Sequence, residues 1–104
     1  MGFQENLAGL APADHLARID LAGAAGPLGS IENKPGSQGS LRIYAHLATK
    51  HGRIDAAAAR EGLALYGEHT ADARAHPGKH PSIDRLLAVA AGAPPLDCRL
   101  VDAT

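Results

Sequence analysis

The chain has 104 residues and a formal net charge of −1. This is the size of one ordinary domain, and the charge leaves no basic surface of the kind that nucleic-acid-binding proteins carry. No segment approaches the roughly 18 apolar residues of a membrane span, and no basic segment starts a secretory signal. The single cysteine excludes an internal disulfide framework and is typical of a reducing compartment. We expect a single domain, residues 1–104, in the cytoplasm, with neither nucleic acid nor membrane as partner.

The apolar residues of the chain are mostly small. Alanine supplies 22 residues, Leu, Ile, Val and Phe together supply 21, and only three residues are aromatic. Small side chains each remove little apolar surface from water, at about 25 cal/mol per Å². We therefore expect either a marginally stable monomer or a homodimer that shares apolar surface.

The first predicted elements are a short amphipathic helix or turn and a β-hairpin. Residues 3–10 place apolar side chains at helical spacing. Residues 16–22 (LARIDLA) alternate with the period of a half-buried strand, with Ala17, Ile19 and Leu21 on the inner face. Residues 28–32 (LGSIE) form a shorter strand after a GAAGP turn, and antiparallel pairing of the two strands is the simplest topology.

Three helices are predicted in the middle of the chain, and the first two have clear start signals. Ser40 is the expected N-cap of a helix over residues 41–50. Asp55 is the expected N-cap of the second helix, which runs to the Pro77–Gly78 turn unless Gly67 breaks it.

The third helix covers residues 83–90, where apolar residues recur at i, i+3, i+4 and i+7. Its N-cap is either Ser82 or His80. In the second case Pro81 is the first helical residue, a position that proline favours.

Residues 96–101 predict a final strand with Cys98 and Leu100 facing inward, and Cys98 as an inert buried thiol. This strand either joins the hairpin as an antiparallel neighbour or pairs with another subunit. The predicted fold is therefore α+β: a small antiparallel sheet of about three strands, the hairpin plus the C-terminal strand, packed against three helices.

The polar residues that could carry chemistry concentrate between residues 66 and 86. On a helix His69 lies beside the apolar stripe, and Asp72, three residues later, is placed to fix its tautomer. Pro77 disfavours a helical conformation at His76, whereas His80 lies beyond the turn and can fold back toward His69. One interpretation is therefore a metal-dependent or acid–base enzyme that uses His69, Asp72 and His80.

A metal site in this segment would need three or four His or carboxylate ligands. The spacing HxxDxxxHxxxH matches no zinc signature, HExxH is absent, and there is no cysteine pair. We therefore predict no metal. The other three histidines, His15, His46 and His51, are isolated along the chain and are expected at the surface or at helix ends. The weak ligand candidates are His69, Asp72, His76 and His80.

Two loops rich in Gly, Ser and Lys each lead into a predicted helix: residues 34–40 (KPGSQGS) and 77–82 (PGKHPS). The unpaired N–H groups and partial positive charge of a helix start favour an anion, and two helix starts side by side would form one pocket. The pattern is not the phosphate-binding GxxxxGK[ST], and Gly, Pro and Ser are also ordinary turn and cap residues. The candidate ligand-binding residues are Lys34, Ser40, Glu68, His69, Asp72, Arg74, Lys79, His80 and Asp84.

The segments IENKPGSQGSLRIY and EHTADARAHPGKHPSIDRLL resemble a family of small bacterial proteins known only as a domain of unknown function. The resemblance extends over nearly the whole chain and includes both loops. It implies a cytosolic proteobacterial protein of about this length, and it carries over no activity and no catalytic residue.

Three classes of function remain open. The leading hypothesis is a small cytosolic binding or accessory domain with an anion or small-ligand pocket at the two loops. The second is the enzyme described above, and the third is a protein–protein interaction module that uses an Ala-rich helix or an exposed sheet edge. Whether the protein is an enzyme, and which cofactor it uses, stays open at this point.

Overall fold

A three-stranded antiparallel sheet forms the base of the fold. The computed structural model describes residues 2–103, and within them lie five α-helices and three β-strands. In chain order the elements are α1 Phe3–Ala8, β1 Leu16–Gly23, β2 Gly26–Glu32, α2 Gln38–His51, α3 Ala56–Leu65, α4 Glu68–Ala75, α5 Pro81–Ala90 and β3 Asp97–Asp102.

The strand order is β2-β1-β3, so both β2 and β3 pair antiparallel with the central β1. Ile19 and Leu21 of β1 point into the core, as their alternation predicts. The expected Ala17 does not, because a bulge between Leu16 and Arg18 shifts the register and buries Leu16 in its place. The arrangement confirms the predicted α+β fold, with the last strand joined to the hairpin.

The helices cover one face of this sheet. Helix α2 contacts all three strands, and α3 packs against both α2 and α5. Gly62 of α3 permits this approach, since a Cβ built there would lie 2.7 Å from Cδ1 of Leu86 and 2.8 Å from Cδ1 of Leu47. The core therefore combines a few large side chains with closely approaching helices, as expected for an alanine-rich chain.

The predicted second helix is two helices. Helix α3 ends at Leu65 and α4 begins at Glu68, and Gly67 between them has φ 57° and ψ −123°. Glycine reaches this backbone region without the steric cost that a Cβ imposes. The sequence leaves a break at Gly67 open, and the structure has that break in place of one continuous helix. Together with the short α1, it raises the number of helices in residues 2–103 from the predicted three to five.

One of the three predicted helix starts is wrong. Asp55 caps α3 as predicted, and its side chain accepts a hydrogen bond from the N–H of Ala58 at 2.8 Å. Helix α2 begins at Gln38 with Ser37 as its N-cap residue, so the prediction of Ser40 as the cap is wrong. The Ser37 hydroxyl donates to the carbonyl of Glu32 at 2.5 Å, which closes the loop and lets the helix start earlier than the apolar pattern indicates. At α5, His80 is the N-cap and Pro81 the first residue, which confirms that alternative over Ser82.

The two edge strands carry the large apolar side chains that are most exposed among the described residues: Leu28 at 43% and Leu100 at 36%. Leu100 was expected to face inward with Cys98. It shares a strand face with Cys98, but it lies at the rim of the sheet where α2 covers it only in part. Cys98 itself packs against the core as predicted, and burial raises the pKa of its thiol to about 11.

No helix in residues 2–103 combines the length and the apolar character that a bilayer crossing requires.

Candidate functional site

A cleft of about 900 Å³ opens between the starts of α2 and α5. Residues from both predicted loops line it, and α1 adds Phe3 and Leu7 as a further wall. The volume falls within the roughly 300–1,000 Å³ that is typical of small-molecule sites. The structure thus brings the 34–40 and 77–82 loops to one concave surface.

Two buried tyrosines hold the helix starts together. The hydroxyl of Tyr66 donates to Oγ of Ser40 at 2.7 Å, and the hydroxyl of Tyr44 donates to the carbonyl of Ser82 at 2.6 Å. Tyr66 also interacts with the Ser82 side chain, so its hydroxyl lies between the two helix starts. Burial raises the pKa of both phenols well above their usual range, and both therefore remain donors at neutral pH.

The first turn of α2 has backbone donors that no described residue uses. Within residues 2–103 no acceptor bonds the N–H of Gln38, Gly39 or Ser40. The first N–H groups of a helix have no intrahelical acceptor. The Ser37 side chain, which could accept from one of them, instead donates to the carbonyls of Glu32 and Lys34. All three residues belong to the lining of the cleft.

The charged residues that line the cleft are mostly cationic, although the whole chain has a net charge of −1. Lys34 bonds Glu32 beside it at 2.7 Å, and the guanidinium of Arg85 donates to the carbonyl of Leu28 at 3.1 Å. Arg42 donates to the carbonyls of Leu10 and Ala11, in the segment that follows α1, and so fastens that segment to α2. The lining cations are Lys34, Arg42, Lys79 and Arg85, against the acidic Asp14 and Glu32.

Asp72 connects α4 to the turn that precedes α5. Its Oδ2 lies 2.6 Å from Nε2 of His80 and 3.0 Å from Nζ of Lys79. Hydrogen bonds from His80 and Lys79 lower the pKa of Asp72 to about 2, so the carboxylate is charged at neutral pH. Asp72 was predicted to orient His69. In the structure it orients His80 instead.

The ring of His69 lies between two other rings. It meets Phe3 edge-on, with centroids 4.6 Å apart, and its centroid is 5.9 Å from that of His80. His80 has therefore folded back toward His69, as the sequence predicts, and both imidazoles line the cleft. His76 has φ −133° and ψ 71° at the end of α4 and is exposed, which confirms the predicted effect of Pro77.

Four predicted site residues lie outside the cleft lining: Asp72, described above, and Glu68, Arg74 and Asp84. Glu68 accepts a hydrogen bond from the N–H of Phe3 at 2.8 Å and so anchors α1. Asp84 accepts one from the N–H of Gly78 at 2.9 Å and so shapes the turn. Arg74 is exposed in the last turn of α4. These residues support the walls of the cleft or face solvent.

The described part of the chain has no group of three or more His, Cys, Asp or Glu side chains arranged to hold a metal ion. Of the four weak candidates, His76 is turned away and His69 faces Phe3 and His80. The hydrogen bond between His80 and Asp72 involves only two of them.

A second polar cluster was not predicted from the sequence. Glu61 of α3 bonds His46, His51 and Lys50 of α2, at 2.6, 2.9 and 2.9 Å. Burial alone would raise the pKa of Glu61, but the hydrogen bonds from His51, His46 and Lys50 outweigh it and lower the pKa to about 2. The partners lie 10 to 15 residues apart on two helices, so no local spacing reveals them. None of these four residues lines the cleft.

Comparison with known proteins identifies one family. The family model described as an uncharacterised protein conserved in bacteria, DUF2322, matches residues 3–100. No curated protein and no solved structure matches the chain significantly. The family match includes every helix, both loops and the cleft, which confirms the resemblance noted in the sequence. The chain therefore belongs to the DUF2322 family of uncharacterised proteins conserved in bacteria.

Proposed function

We propose that this protein is a small binding or accessory domain of the cytoplasm whose cleft takes a small anionic ligand, such as a metabolite with a phosphate or carboxylate group. The observation that carries the proposal is the meeting of two helix starts in one cleft whose charged lining is mostly cationic.

The backbone supports an anion in this position. A helix start presents unpaired N–H groups and a partial positive charge, and both favour a negatively charged ligand. The free N–H groups of Gln38, Gly39 and Ser40 belong to the longest helix, α2. Because Tyr66 fixes Ser40 in place, a ligand would meet donors that need little further ordering.

The two lysines of the cleft are available to such a ligand. Lys34 and Lys79 have side chains 65% and 59% exposed, and each bonds a carboxylate that is itself partly exposed. Exposed ion pairs of this kind contribute only about 0–1 kcal/mol. A ligand anion therefore competes with Glu32 and Asp72 at small cost.

Sulfate and inorganic phosphate are suitable first probes. We expect saturable binding at millimolar concentrations. Two readouts should detect it: amide chemical-shift changes at residues 38–40 and a rise in melting temperature. In the Lys79→Ala variant we expect a several-fold weaker affinity and a smaller rise. The proposal is overturned if neither anion produces a saturable change at residues 38–40 or 79–82.

Lys50→Ala is the matched control. Lys50 is exposed to almost the same degree, 58%, and bonds a carboxylate at 2.9 Å, but it lies outside the cleft. Its replacement removes the same charge from the chain and should leave anion affinity unchanged. An equal loss in both variants would point to a general effect of net charge and would contradict the proposed site.

A second candidate function, an acid–base enzyme, draws support from the hydrogen bond between His80 and Asp72. A carboxylate that orients an imidazole beside a cleft is a recurrent arrangement for proton transfer. Hydrolysis of p-nitrophenyl acetate and p-nitrophenyl phosphate would test it. We expect any turnover to be lost in His80→Asn and kept in His46→Asn, whose histidine lies outside the cleft. Equal rates in both variants would exclude this role for His80.

A further inference from the structure

We infer that ligand binding in the cleft is coupled to the uptake of protons by the facing imidazoles of His69 and His80. The inference rests on the anion-binding function proposed above and adds its regulation by pH. Its basis is geometric: the two ring centroids are 5.9 Å apart with the ring planes tilted by 52°, and both rings line the cleft.

The groups that surround the pair define its charge. His80 faces Asp72 of α4, whose Oδ2 it shares with Lys79 of its own turn. His69 meets the uncharged ring of Phe3 from α1 at nearly a right angle, while the neighbouring Glu68 accepts a hydrogen bond from the Phe3 N–H. The α2 side presents the neutral hydroxyl pair of Ser40 and Tyr66. Two further titratable groups lie nearby: His76 acts on Asp72 from the end of α4, and Asp84 of α5 bonds the Gly78 N–H. The cleft also contains the charged side chains of Lys34, Arg42, Arg85, Asp14 and Glu32.

These groups offset added positive charge on the two imidazoles only in part, because the carboxylate of Glu68, which interacts with His69, is exposed to solvent. The carboxylate of Asp72 already neutralises Lys79, so a proton on His80 adds net charge to the cluster. A second proton on His69 places two imidazolium groups 5.9 Å apart, where they repel each other. An anion bound in the cleft attracts both imidazolium groups, so it makes their protonation more favourable.

The sign of the pH dependence follows from linkage. A ligand that favours the protonated imidazoles binds more tightly where those imidazoles are protonated. Histidine changes its charge between about pH 5 and 8, so affinity should rise as the pH falls through that interval. The increase is at most about tenfold per pH unit for each proton taken up.

Sulfate is the probe for this experiment, because it remains a dianion over the whole interval and cannot itself supply the pH dependence. Calorimetric titrations at about pH 8, 7 and 6, each in two buffers of different ionisation enthalpy, measure the affinity and the number of protons bound. We expect tighter binding at lower pH with net proton uptake. His69→Asn and His80→Asn should each reduce the uptake, and His46→Asn should leave it unchanged.

The possible outcomes separate this inference from the proposed function. If sulfate binds at no pH, the anion site itself is wrong and the inference falls with it. If sulfate binds with equal affinity at all three pH values and without proton exchange, the anion site stands and the coupling is overturned. Should a variant fail to fold, NMR titration of the His69 and His80 rings in the unmodified protein decides the question, since bound sulfate must shift both titrations to higher pH.

Discussion

The hydroxyl of Tyr66 and the Oγ of Ser40 are joined by a hydrogen bond of 2.7 Å that ties the end of α3 to the first turn of α2. Tyr66 is only 3% exposed, so this bond lies at the floor of the cleft and away from solvent. The relative position of the two helix starts therefore depends on a buried contact between helices and not on the surface loops alone.

Removal of this hydroxyl should destabilise the protein. In Tyr66→Phe one buried hydrogen bond is lost and Ser40 loses its partner, which costs about 0.5–1.5 kcal/mol in the free energy of unfolding. Urea denaturation monitored by circular dichroism measures the change. Tyr44→Phe is the matched variant, since it removes the bond to the Ser82 carbonyl from an equally buried ring, and we expect a loss of similar size. Unchanged stability in Tyr66→Phe would contradict the structure at this contact.

Gly62→Ala should lower stability although alanine is the better helix former. The added Cβ would lie 2.7 and 2.8 Å from methyl groups of Leu86 and Leu47, so either these buried side chains leave their present conformations or the helices move apart. Overpacking of this kind costs about 1–3 kcal/mol, which exceeds the gain in helix propensity of about 1 kcal/mol.

Gly9→Ala is the control for that substitution. Gly9 has φ −84° and ψ −6°, and a Cβ there meets only the carbonyl of Asn6 at an ordinary 3.6 Å. Its replacement should leave the urea midpoint unchanged or slightly raised. If both alanine variants were stabilised, the close packing at Gly62 would be disproved.

Glu61 should contribute stability that disappears in acid. Its pKa is lowered from an ordinary 4.5 to about 2 in the folded chain. The stabilisation is therefore fully present above about pH 4.5 and is lost as the pH falls toward 2. Glu61→Gln keeps the shape but not the charge, so it should be less stable than the parent at pH 7 by about 1–2 kcal/mol. That difference should shrink progressively below pH 4.5 in urea titrations.

Asp97→Asn provides the comparison for this pH series. Asp97 is 64% exposed and bonds Arg53 at 3.2 Å, an exposed pair that contributes about 0–1 kcal/mol. Its replacement should leave the slope of stability against pH close to that of the parent. A parent-like slope in Glu61→Gln would rule out the cluster around Glu61 as a source of acid sensitivity.

The thiol of Cys98 should react slowly in the folded protein. Burial raises its pKa from an ordinary 9.0 to about 11, so only about 0.1% is thiolate at pH 8. Reaction with Ellman's reagent at pH 8 should be many times slower than in guanidinium chloride, where the chain is unfolded. Equal rates would show that the thiol is not buried and that its pKa is not raised.

Most of the fold follows from local patterns in the sequence. Alternation predicts the β1–β2 hairpin, and helical spacing with Pro81 predicts α5. The low helix propensity of Gly67 allows a break between α3 and α4 but does not require it. The start of α2 was misplaced because Gln38 and Gly39 give no apolar signal. Glycine at position 39 lets a residue distant in sequence approach, since a Cβ there would lie 2.7 Å from Cζ of Phe3.

The candidate site was predictable in its location but not in its pairings. The two loops that line the cleft are recognisable from their composition, and the return of His80 toward His69 follows from the turn at Pro77. The partner of Asp72 depends on how that turn closes, which sequence spacing does not encode. The contacts of Glu61 arise because two helices pack together, and the spacing of residues along one helix does not predict such contacts.

The central position of β1 has a consequence for the synthesis of the chain. β1 and β2 are translated early, whereas β3, which pairs with the other edge of β1, is the last of the described elements to leave the ribosome. Until then one edge of β1 presents free N–H and C=O groups that can pair with another nascent chain. Completion of the sheet must also wait for a contact between residues far apart in sequence, which slows folding. The interval between the emergence of the hairpin and the arrival of β3 is thus the period in which this protein most needs protection from aggregation.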